Sequence, residues 1–230
     1  MGSRKAVLRL LIWGLGFPFV LPGISCEETP TDPTSAFWNW FLKNERDLRN
    51  QKALREGMID QAYEQIRRVD QGLAIEIGGD PKKGPTELII SAQGKKELFS
   101  LVDQVIARAP KVEGWLFIAL KPAMGFELEY EYDGKKLDPR KLWFQARTPK
   151  DAPGMLGLEV FIPGYSEVDK TETVEAVFRI LDSAMGERLT AEMIRYVDVS
   201  KLPDNPEKEG YIKFVELPDF IKAYKKKHKE

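Results

Sequence analysis

One cysteine, Cys26, and one histidine, His228, are all that the 230 residues hold of the two most reactive side-chain types. Their scarcity removes more chemistry than any motif adds. Cys–His nucleophilic catalysis is excluded, and so is a Ser–His–Asp triad of the ordinary kind, because the one imidazole sits in the C-terminal tail. A zinc site built from Cys or His cannot be completed within one chain, and no internal disulfide can form. Carboxylates, lysines and hydroxyls remain. Near predicted strand ends they appear as Arg147, Lys150, Asp151, Tyr165 and Ser166, the candidates for a hydrolase or transferase. No spacing among them dictates a reaction, and no glycine-rich phosphate loop runs into Lys-Ser or Lys-Thr. No catalytic, cofactor-binding or metal-binding residue is therefore assigned.

A row of glutamates, Glu127, Glu129 and Glu131, alternates with Phe126, Leu128, Tyr130 and Tyr132. Oxygen ligands of this kind suit Ca²⁺. Residues two apart on a strand are, however, about 6–7 Å apart, too far for all three to share one small ion. The row reads as a solvent-facing strand surface that also discourages edge pairing.

Cys26 has its own context. Arg4, Lys5 and Arg9 precede an apolar run broken by Gly14, Gly16 and Pro18, too short for a spanning helix and suited to a secretory signal. Gly23-Ile24-Ser25-Cys26 resembles a lipoprotein cleavage site, although Gly23 stands where leucine is preferred. Residues 27–35 (EETPTDPTS) cannot build a core and read as a tether. Residues 1–26 are thus expected to direct export to the periplasmic side or outer envelope, with lipidation of Cys26 anchoring the chain to the membrane. Cleavage near Ser25, leaving Cys26 as a free thiol, is the alternative.

The body, residues 36–217, is expected to be one α+β domain. The 43% hydrophobic and 31% charged residues of the full chain are those of a folded protein, and its formal net charge of −1 leaves no overall footprint for nucleic acid. Leu73, Ile75 and Ile77 alternate as in a half-buried strand. A Gly/Pro loop over residues 78–85 follows, then a strand at 87–91, an amphipathic helix at 95–109 stopped by Pro110, and an apolar strand at 115–120 expected to be covered on both faces. Residues 142–199 repeat this order: strand, Pro/Gly loop, strand 158–162, a helix opened by Asp169 and Glu172 and stopped by Gly186, and a strand 193–199. Either the domain is internally duplicated, 73–120 and 142–199, or two ordinary ββαβ runs look alike. Duplication predicts a single sheet with both helices side by side on one face, and Leu88 and Ile90 matched to residues near Val160 and Ile162.

Ahead of these units, Phe37, Trp40, Phe41 and Leu48 share one face of a helix, which Trp38 and Leu42 extend. A second helix is expected near 54–70, with Ile59, Ala62, Tyr63, Ile66 and Val69 inward. The aromatic cluster is either a ligand platform or an anchor to the sheet. Asp133-Gly134 marks a hairpin turn between the halves, and Asp138-Pro139 the start of a one-turn helix. Residues 211–215 read as a last strand, and 218–230 as a short helix and tail ending in a Lys-rich run. That run is either a contact for anionic lipid or nucleic acid, or a solvated helix end whose charge suits the macrodipole.

Three segments carry a family resemblance: Phe37 to Phe41, Ile90-Ser91-Ala92-Gln93-Gly94, and Phe161-Ile162-Pro163-Gly164. Together they resemble a family of small bacterial α+β proteins with an N-terminal F-W-x-W-F helix. The resemblance covers most of residues 37–217 and implies no activity or catalytic residues. It also implies that the signal and tether are an added address. The expected architecture is α+β: two N-terminal helices, then a mostly antiparallel sheet from two ββαβ units with helices on one face. The expected function is non-catalytic binding or scaffolding in the cell envelope, with an unidentified protein or envelope ligand as partner and no nucleic acid or cofactor. The alternative is the carboxylate, lysine and hydroxyl enzyme.

Overall fold

A computed structural model describes residues 32–79, 84–127, 129–132 and 135–228. Cys26, the signal, residues 27–31 of the tether, the loop residues 80–83, Leu128 and the Asp133-Gly134 turn lie outside the described residues. The fold is α+β.

Helix α1 (Pro33–Leu48) starts inside the stretch expected as tether, because Asp32 caps it: its carboxylate accepts from the amides of Thr34 and Ser35. Phe37, Trp38, Phe41 and Leu48 are buried. Trp38, not Trp40, is the deeper tryptophan; Trp40 is half-buried and Leu42 is 48% exposed. The indole N–H of Trp38 explains the choice of face, since it donates to the Val105 carbonyl at 2.9 Å. The aromatics therefore form an anchor of edge-to-face rings, Trp38 and Phe41 against Phe117, and Phe41 against Trp115. The expected second helix is interrupted. A short α2 (Gln51–Ala53) runs into a wide turn, Leu54–Met58, where Gly57 at φ 104° leaves the helical region before α3 (Ile59–Arg67).

Two ββαβ units follow. In the first, β1 (Ala74–Gly78) pairs antiparallel with β2 (Thr86–Ser91), which pairs parallel with β3 (Trp115–Ala119) after α4 (Phe99–Ala107). In the second, β6 (Trp143–Arg147) pairs antiparallel with β7 (Leu156–Ile162). After α5 (Lys170–Met185) and α6 (Glu187–Met193), β7 pairs parallel with β8 (Ile194–Lys201). Strand order within the two halves is thus the same. Gly94 (φ 75°) and Gly164 (φ 67°) both turn the chain just after the middle strand. Matching those glycines aligns Leu88 with Leu158 and Ile90 with Val160, all fully buried. The single shared sheet expected from the sequence is not formed, because the described strands of each half pair only among themselves. Among the described residues the first forms a three-stranded sheet, β1-β2-β3, and the second a four-stranded one, β8-β7-β6-β9, with β9 spanning Ile212–Lys213. A hairpin of β4 (Tyr130–Tyr132) and β5 (Lys135–Leu137) lies between them.

Each sheet has its own apolar cluster and its own helices. The first gathers Phe37, Trp38, Phe41, Ile66, Val102 and Val105 over Ile75, Leu88 and Ile90. The second gathers Val177, Ile180, Leu181, Phe214 and Ile221 over Phe144, Leu158, Val160, Val197 and Val199. Ile221 belongs to α7 (Leu217–Lys227), so the C-terminal helix is packed into the second cluster. Helices cover one face of each sheet, and Leu116 of β3, expected to be covered, is 45% exposed on the other face.

Candidate functional site: the open face of the second sheet

Alternation along β6, β7 and β8 sends one residue in two away from the helices. Their registers put Arg147, Gly157 and Tyr196 in one row, Gln145, Glu159 and Asp198 in the next, and Trp143, Phe161 and Ser200 in the third. Lys213 of β9 extends the third row and lies 5.8 Å from the centre of the Trp143 ring. The partners of these residues on the inner face are Phe144, Leu158, Val160, Val197 and Val199, where α5 and α7 pack. The outward rows are partly or largely exposed apart from Gly157 and Phe161.

Aromatic rings at both ends lie against this face. Tyr196, 41% exposed, leans its ring over Gly157; a methyl group there would overlap the ring, so the glycine makes room for the tyrosine. At the other end Tyr211 stacks on Phe161, rings parallel within 8° and 4.0 Å between centres. Burial, then its hydrogen bond to Glu209, raises the Tyr211 phenol above its ordinary pKa and keeps it protonated. Between the rings, Glu159 accepts from Arg147 at 2.5 Å and from the Ser200 hydroxyl at 3.0 Å. Lys170, at the start of α5, reaches Asp198 at 2.6 Å and holds that carboxyl below its usual range. The result is a polar, hydrogen-bonding strip flanked by aromatic rings, with both carboxylates paired to cations.

A second concentration of charge joins the halves. Glu187, first residue of α6, is fully buried. Its two carboxylate oxygens accept from the amides of Gly94 (2.9 Å) and Lys121 (3.2 Å), both from the first half. Gly186 at φ 86° lets the chain turn there against Lys121 and Ala123. Lys121 in turn pairs with Glu76 of β1 at 2.6 Å; burial opposes its charge, but the Glu76 carboxylate outweighs this and raises its pKa. Asp182 of α5 is pushed up to about 7 by burial first and the Glu187 charge second, against the pull of Lys121. Nearby, Arg188 donates both bonds to Asp103 and lies over Phe99. Lys121 is held charged, so it is no nucleophile, and both oxygens of Glu187 are occupied. This network joins the halves.

The loop candidates do not converge. Arg147, Lys150 and Asp151 lie at the start of β7, and Tyr165 and Ser166 beyond its end, about 20 Å away for a strand of this length. Arg147 is committed to Glu159, and Asp151 pairs with Arg195 at 3.0 Å. That pair lines a shallow cleft of about 390 Å³ between the halves, with Gly94, Lys96 and Met155. Glu127, Glu129 and Glu131 face solvent, with Glu129 paired to Arg140. The Lys-rich end closes α7, where the His228 ring stacks on Tyr224. Tyr196, Gln145, Glu159 and Asp198 stand on strands rather than in the loops that hold the sequence candidates, and strand alternation alone marks them as outward.

No family model matches the chain, and neither a curated protein nor a solved structure does. Among the described residues, no helix is long and apolar enough to cross a membrane.

Proposed function

We propose that the protein is a non-catalytic binding or scaffolding protein of the bacterial cell envelope, a relative of the F-W-x-W-F family, exported by residues 1–26 and held to the membrane by lipid on Cys26. The observation that carries the binding role is the open face of the four-stranded sheet. Its helices pack on the other side, and a solvent-facing strip with an exposed, backbone-supported tyrosine remains. Exposed aromatic surface with ordered polar groups is a recognition feature rather than a folding one. The tether would let this face reach a partner at a distance from the membrane.

The competing reading, a hydrolase or transferase, draws on the raised Asp182. Its neighbours argue against it, since Lys121 is held charged and Glu187 is engaged by two backbone amides. Fractionation of cells making wild-type or Cys26→Ser protein tests the address. The expected result is membrane-bound wild type and an exported, soluble variant. Both forms in the cytoplasm would refute export; both exported and soluble would refute the lipid alone.

A further inference from the structure

We infer that the open face of the second sheet binds an uncharged polysaccharide strand. The inference rests on the binding role proposed above and names its ligand class. A pyranose ring has an apolar face of C–H groups and a rim of hydroxyls, so it is held by an aromatic face beneath it and hydrogen-bonding groups beside it. The outward face supplies both. Tyr196 lies over Gly157 with much of its surface exposed, and Tyr211 is seated on Phe161 at the other end. Gly157 and Phe161 are four residues apart on β7, a span of about 13 Å. That suits an oligosaccharide better than a single sugar. Along the span stand Gln145, Glu159, Asp198 and Ser200, half-buried and so partly fixed, offering amide, carboxylate and hydroxyl partners to sugar hydroxyls.

The charge pattern selects against the polymers that would compete. A single-stranded nucleic acid also stacks on aromatic rings, but needs a basic groove to follow its phosphates. Here Glu159 and Asp198 occupy the middle row, and Arg147 and Lys170 are spent on them. With these charges paired to each other, a polyanion would give up its water without finding a run of unpaired cations, and a polycation without finding unpaired carboxylates. A neutral, hydroxyl-rich chain meets neither penalty and can share the existing hydrogen-bond groups.

The test is titration of the full chain with chitohexaose and cellohexaose, and with polyuridylate as the charged comparison, read by calorimetry and by chemical-shift changes. The expected result is saturable binding of at least one of the two sugars. Tyr196→Ala should weaken it roughly tenfold, the scale of one aromatic contact, with a cooperative melting transition retained. Gly157→Ala, which displaces the same ring without removing it, should weaken it as well. No binding of either sugar at millimolar concentration by folded protein overturns the inference. So does sugar binding unchanged in Tyr196→Ala, or Tyr196-dependent binding of polyuridylate alone. Capture of an envelope protein through Tyr196 without any sugar binding would overturn the polysaccharide and leave the binding role standing.

Discussion

Asp182→Asn should make the protein more stable at pH 8 while leaving it nearly unchanged at pH 5. Asp182 titrates at about 7 in the folded protein, against an ordinary value of 3.8, because burial and then the Glu187 charge disfavour its ionised form. Between those two values the folded protein keeps a proton that the unfolded chain has released. Stability therefore falls as pH rises through that window and levels off above 7. Each pH unit is worth about 1.36 kcal/mol, so the wild-type loss between pH 5 and pH 8 spans two units and amounts to about 3 kcal/mol at most. Asparagine resembles the protonated acid and does not ionise. The stability difference between variant and wild type should grow by up to that amount over the same range. Urea midpoints of both proteins at pH 5 and pH 8 measure it, with an expected relative shift of about 1 M. An equal difference at the two pH values would refute the argument, and a variant less stable at pH 8 would reverse its sign.

Trp38→Ala should cost about 3–5 kcal/mol, as buried aromatic truncations do, and Trp40→Ala clearly less; denaturant midpoints rank the two, and the reverse order would contradict the orientation of α1. Trp38→Phe, which keeps most of the packing but loses the bond to Val105, should cost about 1 kcal/mol beyond the volume change. Glu187→Gln leaves one of the two amides, of Gly94 or Lys121, facing an NH₂ group, and should cost about 2–3 kcal/mol. Removing that charge also lowers Asp182, so the same variant should flatten the slope of stability between pH 5 and 7, and an unchanged slope would separate the two groups. Gly157→Ala should leave the fold cooperative with a loss of about 1–2 kcal/mol, as Tyr196 is pushed toward solvent; near-ultraviolet circular dichroism reports the ring's release.

Element types were legible where a single period dominated. Leu73, Ile75 and Ile77 alternate, and Val102 and Val105 repeat at helical spacing, so these stretches could be assigned with no knowledge of their neighbours. The repeated ββαβ order was legible for the same reason. The division into two sheets was not, because periodicity states which face of a strand is buried and says nothing of which strand lies beside it. Trp38 and Trp40 are two residues apart at the rim of one helical face, and the hydrogen bond to Val105, 67 residues away, decided between them. Helix α6 escaped because Gly186 read as an end; the burial of Glu187 depends on amides from Gly94 and Lys121. The outward residues of β6 to β8 were legible as polar strand positions. Their significance lies in registry across three strands, which brings Tyr196 to Gly157 and Arg147 to Glu159.

Two separate apolar clusters also set an order of assembly. The first draws its buried residues from 37–120 and the second from 126–221, so each can be completed by a contiguous stretch of chain. Loop closures within each half are short compared with those joining the halves, which favours local completion first. As the chain leaves the ribosome, the first half can bury its aromatic helix before the second exists. Glu187 then meets the Gly94 and Lys121 amides only when the later half docks. Native-state hydrogen exchange should accordingly show two cooperative units, with the Gly94 and Lys121 amides protected only while the two units are joined.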